Sequence, residues 1–151
     1  MSPTDSTESP PVEAPVRDLG PLAWVLDELR KSLENANKAL KRYVRDAEAA
    51  RGTDLASVDS TQLRMARQSL HQAVGALDMV GQTAPGLVLK AMETLAQQFV
   101  KDPTRCSESA ASLIERASFA VIDFLDCEMR GQSHSPVGLF PDYRDLLQLA
   151  G

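Results

Sequence analysis

Residues 22–47 read LAWVLDELRKSLENANKALKRYVRDA. Leu22, Leu26, Leu29, Leu33, Ala36, Leu40, Tyr43 and Ala47 recur at alternating steps of four and three, which a helix of 3.6 residues per turn gathers onto one stripe. Lys31, Glu34, Lys38, Lys41 and Arg45 fall on other faces. An extended strand, with its period of two, would scatter the same leucines over both sides. The spacing predicts a long amphipathic helix whose apolar stripe must be covered by other helices. Gly52 and the polar run Thr53 to Ser60 end it.

The same rhythm returns downstream. Leu63, Ala66, Leu70, Ala73, Leu77 and Val80 predict a second helix from about Thr61 to Val80, stopped by Gly81. After a turn at Pro85 and Gly86, the residues Leu87, Val88, Ala91, Leu95 and Phe99 predict a shorter third, ended by Asp102 and Pro103. Cys106, Ala110, Leu113, Ala117, Ala120, Phe124 and Cys127, thickened by Ile114, Val121 and Leu125, predict a fourth from about Thr104, closed by Gly131. Beyond a loop from Gln132 to Gly138, the residues Phe140, Tyr143, Leu146, Leu147 and Leu149 form a last short amphipathic segment, with Pro141 tolerated in its first turn. Short connections favour antiparallel neighbours. The expected fold class is all-α: an up-down-up-down four-helix bundle over residues 21–151, capped by a short fifth helix. Residues 1–20, rich in Pro, Ser, Thr and acids, bury too little apolar surface to offset chain entropy and are expected to form a disordered tail.

Composition narrows the function classes. The chain of 151 residues carries a formal charge of −5 and has an isoelectric point near 5.0, so phosphate counterion release cannot drive strong nucleic-acid binding. No apolar run approaches the roughly 20 residues that span a bilayer, and the first residues lack the basic start and apolar stretch of a signal peptide. No membrane insertion and a cytoplasmic location are expected. Cys106 and Cys127, read as lying far apart in one helix, are expected to be free thiols packed as small core residues. Only two histidines are present, and neither has the carboxylate and histidine spacing of a helical metal site. Glycine-rich phosphate loops and nucleophile motifs are also missing, so no metal, no cofactor and no autonomous catalysis are expected.

One segment of the second helix stands apart, Leu70-His71-Gln72-Ala73-Val74-Gly75-Ala76-Leu77-Asp78-Met79-Val80-Gly81. A mid-helix Gly costs roughly 1 kcal/mol against Ala. Gly75 lies one turn after His71 on the same face, where the missing side chain clears space beside the imidazole. A neutral imidazole keeps a nitrogen lone pair, which is what a phosphoryl acceptor requires. The plainer reading makes His71 a boundary residue and Gly75 a site of close helix packing.

The string is similar to the signature of histidine-phosphotransfer (Hpt) domains: His, Gly four residues on, a small residue next, an aliphatic at nine and Gly at ten. His71, Gly75, Ala76, Val80 and Gly81 fill these positions, and the His stands on the second long helix, as in that bundle. From about Leu22 to Gly151 the chain also resembles the amino-terminal Hpt-like region of the very large chemotaxis-type hybrid histidine kinases of the ChpA/PilL kind, which control type IV pili and twitching motility, and the related scaffold protein FimL. The residues carrying this likeness are Ala23-Trp24-Val25, Leu70 to Val80, and Asp142 to Leu149. The resemblance implies a two-component phosphorelay domain at the head of a larger signalling kinase, with receiver domains of response regulators and other domains of the parent kinase as partners. The end of the chain at Gly151, just after an apolar segment, fits such an excised domain.

Two positions depart from the family pattern. Val74 stands where a Lys is usual, three residues after the His, and Leu77 where a small residue is usual. A cation about 4 Å from a phosphoryl group contributes roughly 1 to 4 kcal/mol, so its loss slows transfer by about 10-fold to 1000-fold. Arg67, one turn before His71, is the candidate substitute, whereas Asp78 lies about 10 Å along the axis. On the phosphotransfer reading, a receiver docks on the face carrying Gln68, His71, Gln72, Gly75 and Asp78, and His71 accepts or returns a phosphoryl group. On the scaffold reading, His71 is a relic and Val74 and Leu77 form an apolar docking patch. An unrelated structural or homodimerising bundle is the third reading, supported by the heptads of the first helix.

Overall fold

The computed structural model describes residues 20–50, 58–132 and 135–151. The expected tail, apart from Gly20, and the expected helix stop at Gly52 lie outside these residues. The chain forms α1 (Gly20–Ala49), α2 (Thr61–Asp78), α3 (Thr83–Lys101), α4 (Glu108–Met129) and α5 (Phe140–Ala150), with short 3-10 turns at Pro103–Arg105 and Pro136–Leu139. No strand occurs among the described residues.

The apolar stripe of α1 behaves as its spacing requires: Leu22, Leu26, Leu29, Leu33, Ala36, Leu40 and Tyr43 are all buried. Leu63, Ala66, Leu70, Ala73 and Leu77 do the same on α2. α1 packs against α2 and α4, α2 against α3, and α3 against α4, so each long helix has two long neighbours around one core. Phe99, Leu29, Leu40, Leu70, Met92 and Ile114 are among the largest fully buried side chains. Cross-helix pairs give the directions. Arg30 meets Asp126, Asn37 meets Ser118 and Lys41 meets Glu115, so α1 and α4 run antiparallel. His71 meets Glu93 and Asp78 meets Lys90, so α2 and α3 do as well.

Three boundaries differ from the sequence expectation. α2 ends at Asp78, and Val80 already lies in the turn to Gly81, whose φ of 69° favours glycine. α3 starts before Pro85, because the first-turn N–H groups of a helix have no internal acceptor and Pro forfeits nothing there. α4 starts at Glu108 rather than near Thr104. Asp102 folds Thr104 back on itself, its Oδ1 accepting from the Thr104 amide at 3.2 Å and hydroxyl at 2.6 Å, and Ser107 then caps α4 by accepting from the Ala110 amide at 3.1 Å. Cys106 therefore lies outside the helix that holds Cys127; both are free thiols, Cys106 buried and Cys127 half-buried. The buried face of α4 runs through Ala110, Leu113, Ile114, Ala117, Ser118, Val121 and Leu125, leaving Ala120 and Phe124 half-buried.

Candidate functional site

The face shared by α2 and α3 carries the residues singled out in the sequence. Burying Leu63, Ala66, Leu70, Ala73 and Leu77 turns Gln68, His71, Gln72, Gly75 and Asp78 outward, and all five are exposed. Exposed Met65 and Met79 flank them. Val74 and Leu77 do not belong to this surface. They are 8% and 0% exposed, so the pair expected to form an apolar docking patch, with Val74 as a partner-binding residue, is packed in the core and presents no such patch at the surface. Each is one step round the helix from an outward residue, and each fills the core instead.

His71 has a partner that sequence spacing on α2 did not disclose. Its Nδ1 lies 2.7 Å from Oε1 of Glu93, on α3. The imidazole is 65% exposed while the carboxylate is only 13% exposed, so the ring stands at the surface on a mostly covered anionic support. An ionised carboxylate only accepts hydrogen bonds, so Nδ1 carries the proton and donates it. The lone pair is left on Nε2, for which the described residues offer no hydrogen-bond partner.

Gly75 continues the same stripe. A Cβ added there would meet nothing within 4 Å. Close helix packing therefore does not explain this glycine, and the space it clears opens outward beside His71. Seven residues after His71, Asp78 holds the ammonium of Lys90, Nζ to Oδ1 3.8 Å, with both side chains more than half exposed. Arg67, the cation expected from the sequence, is half-buried and makes no ion pair or hydrogen bond with a described residue.

The site is thus an imidazole held by one ring nitrogen on an open helical face, with a carboxylate behind it and a lysine along it. Glu93 had a faint signal in the sequence, an acid directly after buried Met92 at the edge of an apolar stripe. Its pairing with His71 depends on the α2–α3 register, which neither helix encodes alone. A cleft of about 810 Å³ lies elsewhere. It is walled by residues of α1, the turn before α4 and the start of α4, including Glu48, Cys106 and Ser109, and its cation Arg116 is already engaged by Asp142 and Asp145 of α5. The described residues contain no group of three His, Cys, Asp or Glu placed to hold a metal ion, and no described helix is long and apolar enough to cross a membrane. No protein-family model, curated protein or solved structure matches the chain.

Proposed function

We propose that this chain is an Hpt-like four-helix bundle that relays phosphoryl groups in a two-component pathway, with Nε2 of His71 as the acceptor. One observation carries the reading: an exposed imidazole whose Nδ1 is held at 2.7 Å by a largely covered carboxylate, which leaves the lone pair on the other nitrogen of a ring standing at the surface. The lone pair of Nε2 attacks the phosphorus of a receiver's phospho-aspartate. The N–P bond forms, the acyl O–P bond breaks, and its electron pair leaves on the aspartate carboxylate. The ring becomes cationic as the bond forms, and Glu93, facing the Nδ1 proton, stabilises that charge. The exposed stripe through Gln68, Gln72 and Gly75 gives the incoming receiver an open approach.

The likeness of residues from Leu22 onward to the head region of pilus-controlling chemotaxis-type kinases supports placing the domain in such a pathway, in the cytoplasm, beside the other domains of a parent histidine kinase. A scaffold role without phosphorylation is the second reading. Val74 favours it, because no cation follows His71 by one turn on α2. Mixing the protein with a receiver carrying radiolabelled phospho-aspartate separates the two. Transfer predicts acid-labile, base-stable label on the wild type and none on His71→Gln. A folded wild type that takes no label, yet binds the receiver as well as His71→Gln does, leaves only the scaffold.

A further inference from the structure

Phosphorylating His71 places roughly two negative charges on a face that already presents Glu93 and Asp78. Such a product needs a cation, and none follows His71 on its own helix: Val74 is buried in the core. Arg64 is engaged at the start of α2 by Ser60 and Thr61. The remaining candidates near the ring are Arg67 and Lys90.

Register distinguishes them. Glu93 marks the level of His71 on α3, and Lys90 precedes Glu93 by three residues, about 4.5 Å along the axis. His71 and Asp78 are seven residues apart, about 10 Å. The backbone of Lys90 therefore stands about midway between them, level with Val74 and Gly75. Its four-carbon stem reaches about 6 Å and covers either end. In the unphosphorylated protein the ammonium is parked 3.8 Å from Asp78, in a pair more than half exposed on both sides and therefore weak. Gly75 leaves the ground between the two ends clear, since even a Cβ there has no neighbour within 4 Å. Arg67, by contrast, is half-buried on the far side of His71 from this opening.

We infer that Lys90 is the phosphoryl-binding cation of this site, supplied from α3 in place of one on α2, and that it swings from Asp78 to the phosphoryl oxygens as His71 is modified. This rests on the acceptor role proposed for His71. Asp78 is then a positioning residue that holds the lysine beside the site between transfers.

Phosphoramidate tests this without a protein partner. Nε2 attacks phosphorus, the donor's N–P bond breaks, and ammonia leaves with the electron pair and the protons already on the donor nitrogen. The initial rate is followed by 31P NMR for the wild type, Lys90→Met, Lys90→Arg, Asp78→Asn and Arg67→Met, with thermal unfolding midpoints checked for equality. Lys90→Met is expected to slow labelling on the order of 10-fold, Lys90→Arg to retain most of the rate, and Asp78→Asn, which frees the lysine, to raise it about twofold. The salt dependence of the rate is expected to flatten in Lys90→Met alone. A labelled wild type with Lys90→Met within twofold of it, or with the loss in Arg67→Met instead, overturns the inference and leaves His71 as acceptor. A wild type that takes no label from either phosphoramidate or a receiver overturns both.

Discussion

Gly75 is the residue whose chemistry and stability pull in opposite directions. An exposed mid-helix glycine with no neighbour near its missing Cβ forfeits helix propensity and gains no packing. Gly75→Ala is accordingly expected to raise the unfolding free energy by about 0.5–1 kcal/mol in urea titrations. Gly75→Phe is expected to slow transfer from a receiver at least 10-fold more than it slows phosphoramidate labelling of His71, because both reactions need the ground that Lys90 crosses and only the protein donor must also dock on it. Equal loss with both donors would show that the substitution acts through His71 or Lys90 rather than through docking. Glu93→Gln keeps a hydrogen-bond acceptor but removes the charge facing Nδ1, and is expected to slow both reactions about 10-fold or more. Cys106 gives a residue-scale check on the core. Burial pushes its thiol up to about 12, so the folded state keeps it protonated where the unfolded chain, with an ordinary thiol near 9, releases the proton. A raised folded value contributes stability that is intact below pH 9 and is lost as the pH climbs from 9 towards 12. The expected loss is about 1.4 kcal/mol at pH 10, and Cys106→Ala should remove that part of the slope. The Tyr43 hydroxyl is raised too, chiefly by burial and then by Cys106 and Asp102, and adds to the slope at higher pH.

At the scale of elements, the sequence disclosed which segments are helical far better than where they begin. Alternating steps of three and four are a property of each segment alone, so α1 and the buried stripe of α2 could be read directly. The start of α3 could not, because Pro85 punctuates a chain strongly unless the helix has begun just before it. The start of α4 was hidden by Asp102, Thr104 and Ser107, which make a 3-10 turn and a cap where periodicity alone would run the helix on. α5 shows how apolar and polar attachments differ in weight. Leu146 is fully buried, while Arg116 reaches Asp142 at 3.0 Å and Asp145 at 3.4 Å from a side chain 60% exposed. Leu146→Ala is expected to cost about 2–5 kcal/mol by chemical denaturation, and Arg116→Ala less than about 1 kcal/mol. The reverse order would mean that the ion pairs, rather than the leucine, hold α5 on α3 and α4.

For the whole molecule, the decisive quantity is the register between helices. His71, Gln68, Gln72, Gly75 and Asp78 were legible as one outward face because they share a helix, and Val74 and Leu77 were misplaced on it because one residue of rotation separates surface from core. Glu93 and Lys90 belong to another helix, and their arrival beside His71 follows from how two apolar stripes settle against each other, which no local pattern states. That register turns a surface histidine into an oriented one. Its most direct test is a long-range 1H–15N correlation spectrum of protein labelled with [15N]histidine, recorded before and after treatment with phosphoramidate, the second histidine being assigned by His134→Gln. The structure predicts His71 in the Nδ1–H tautomer before treatment and phosphoryl on Nε2 after it; a proton on Nε2 in the untreated neutral ring, or phosphoryl on Nδ1, would contradict it.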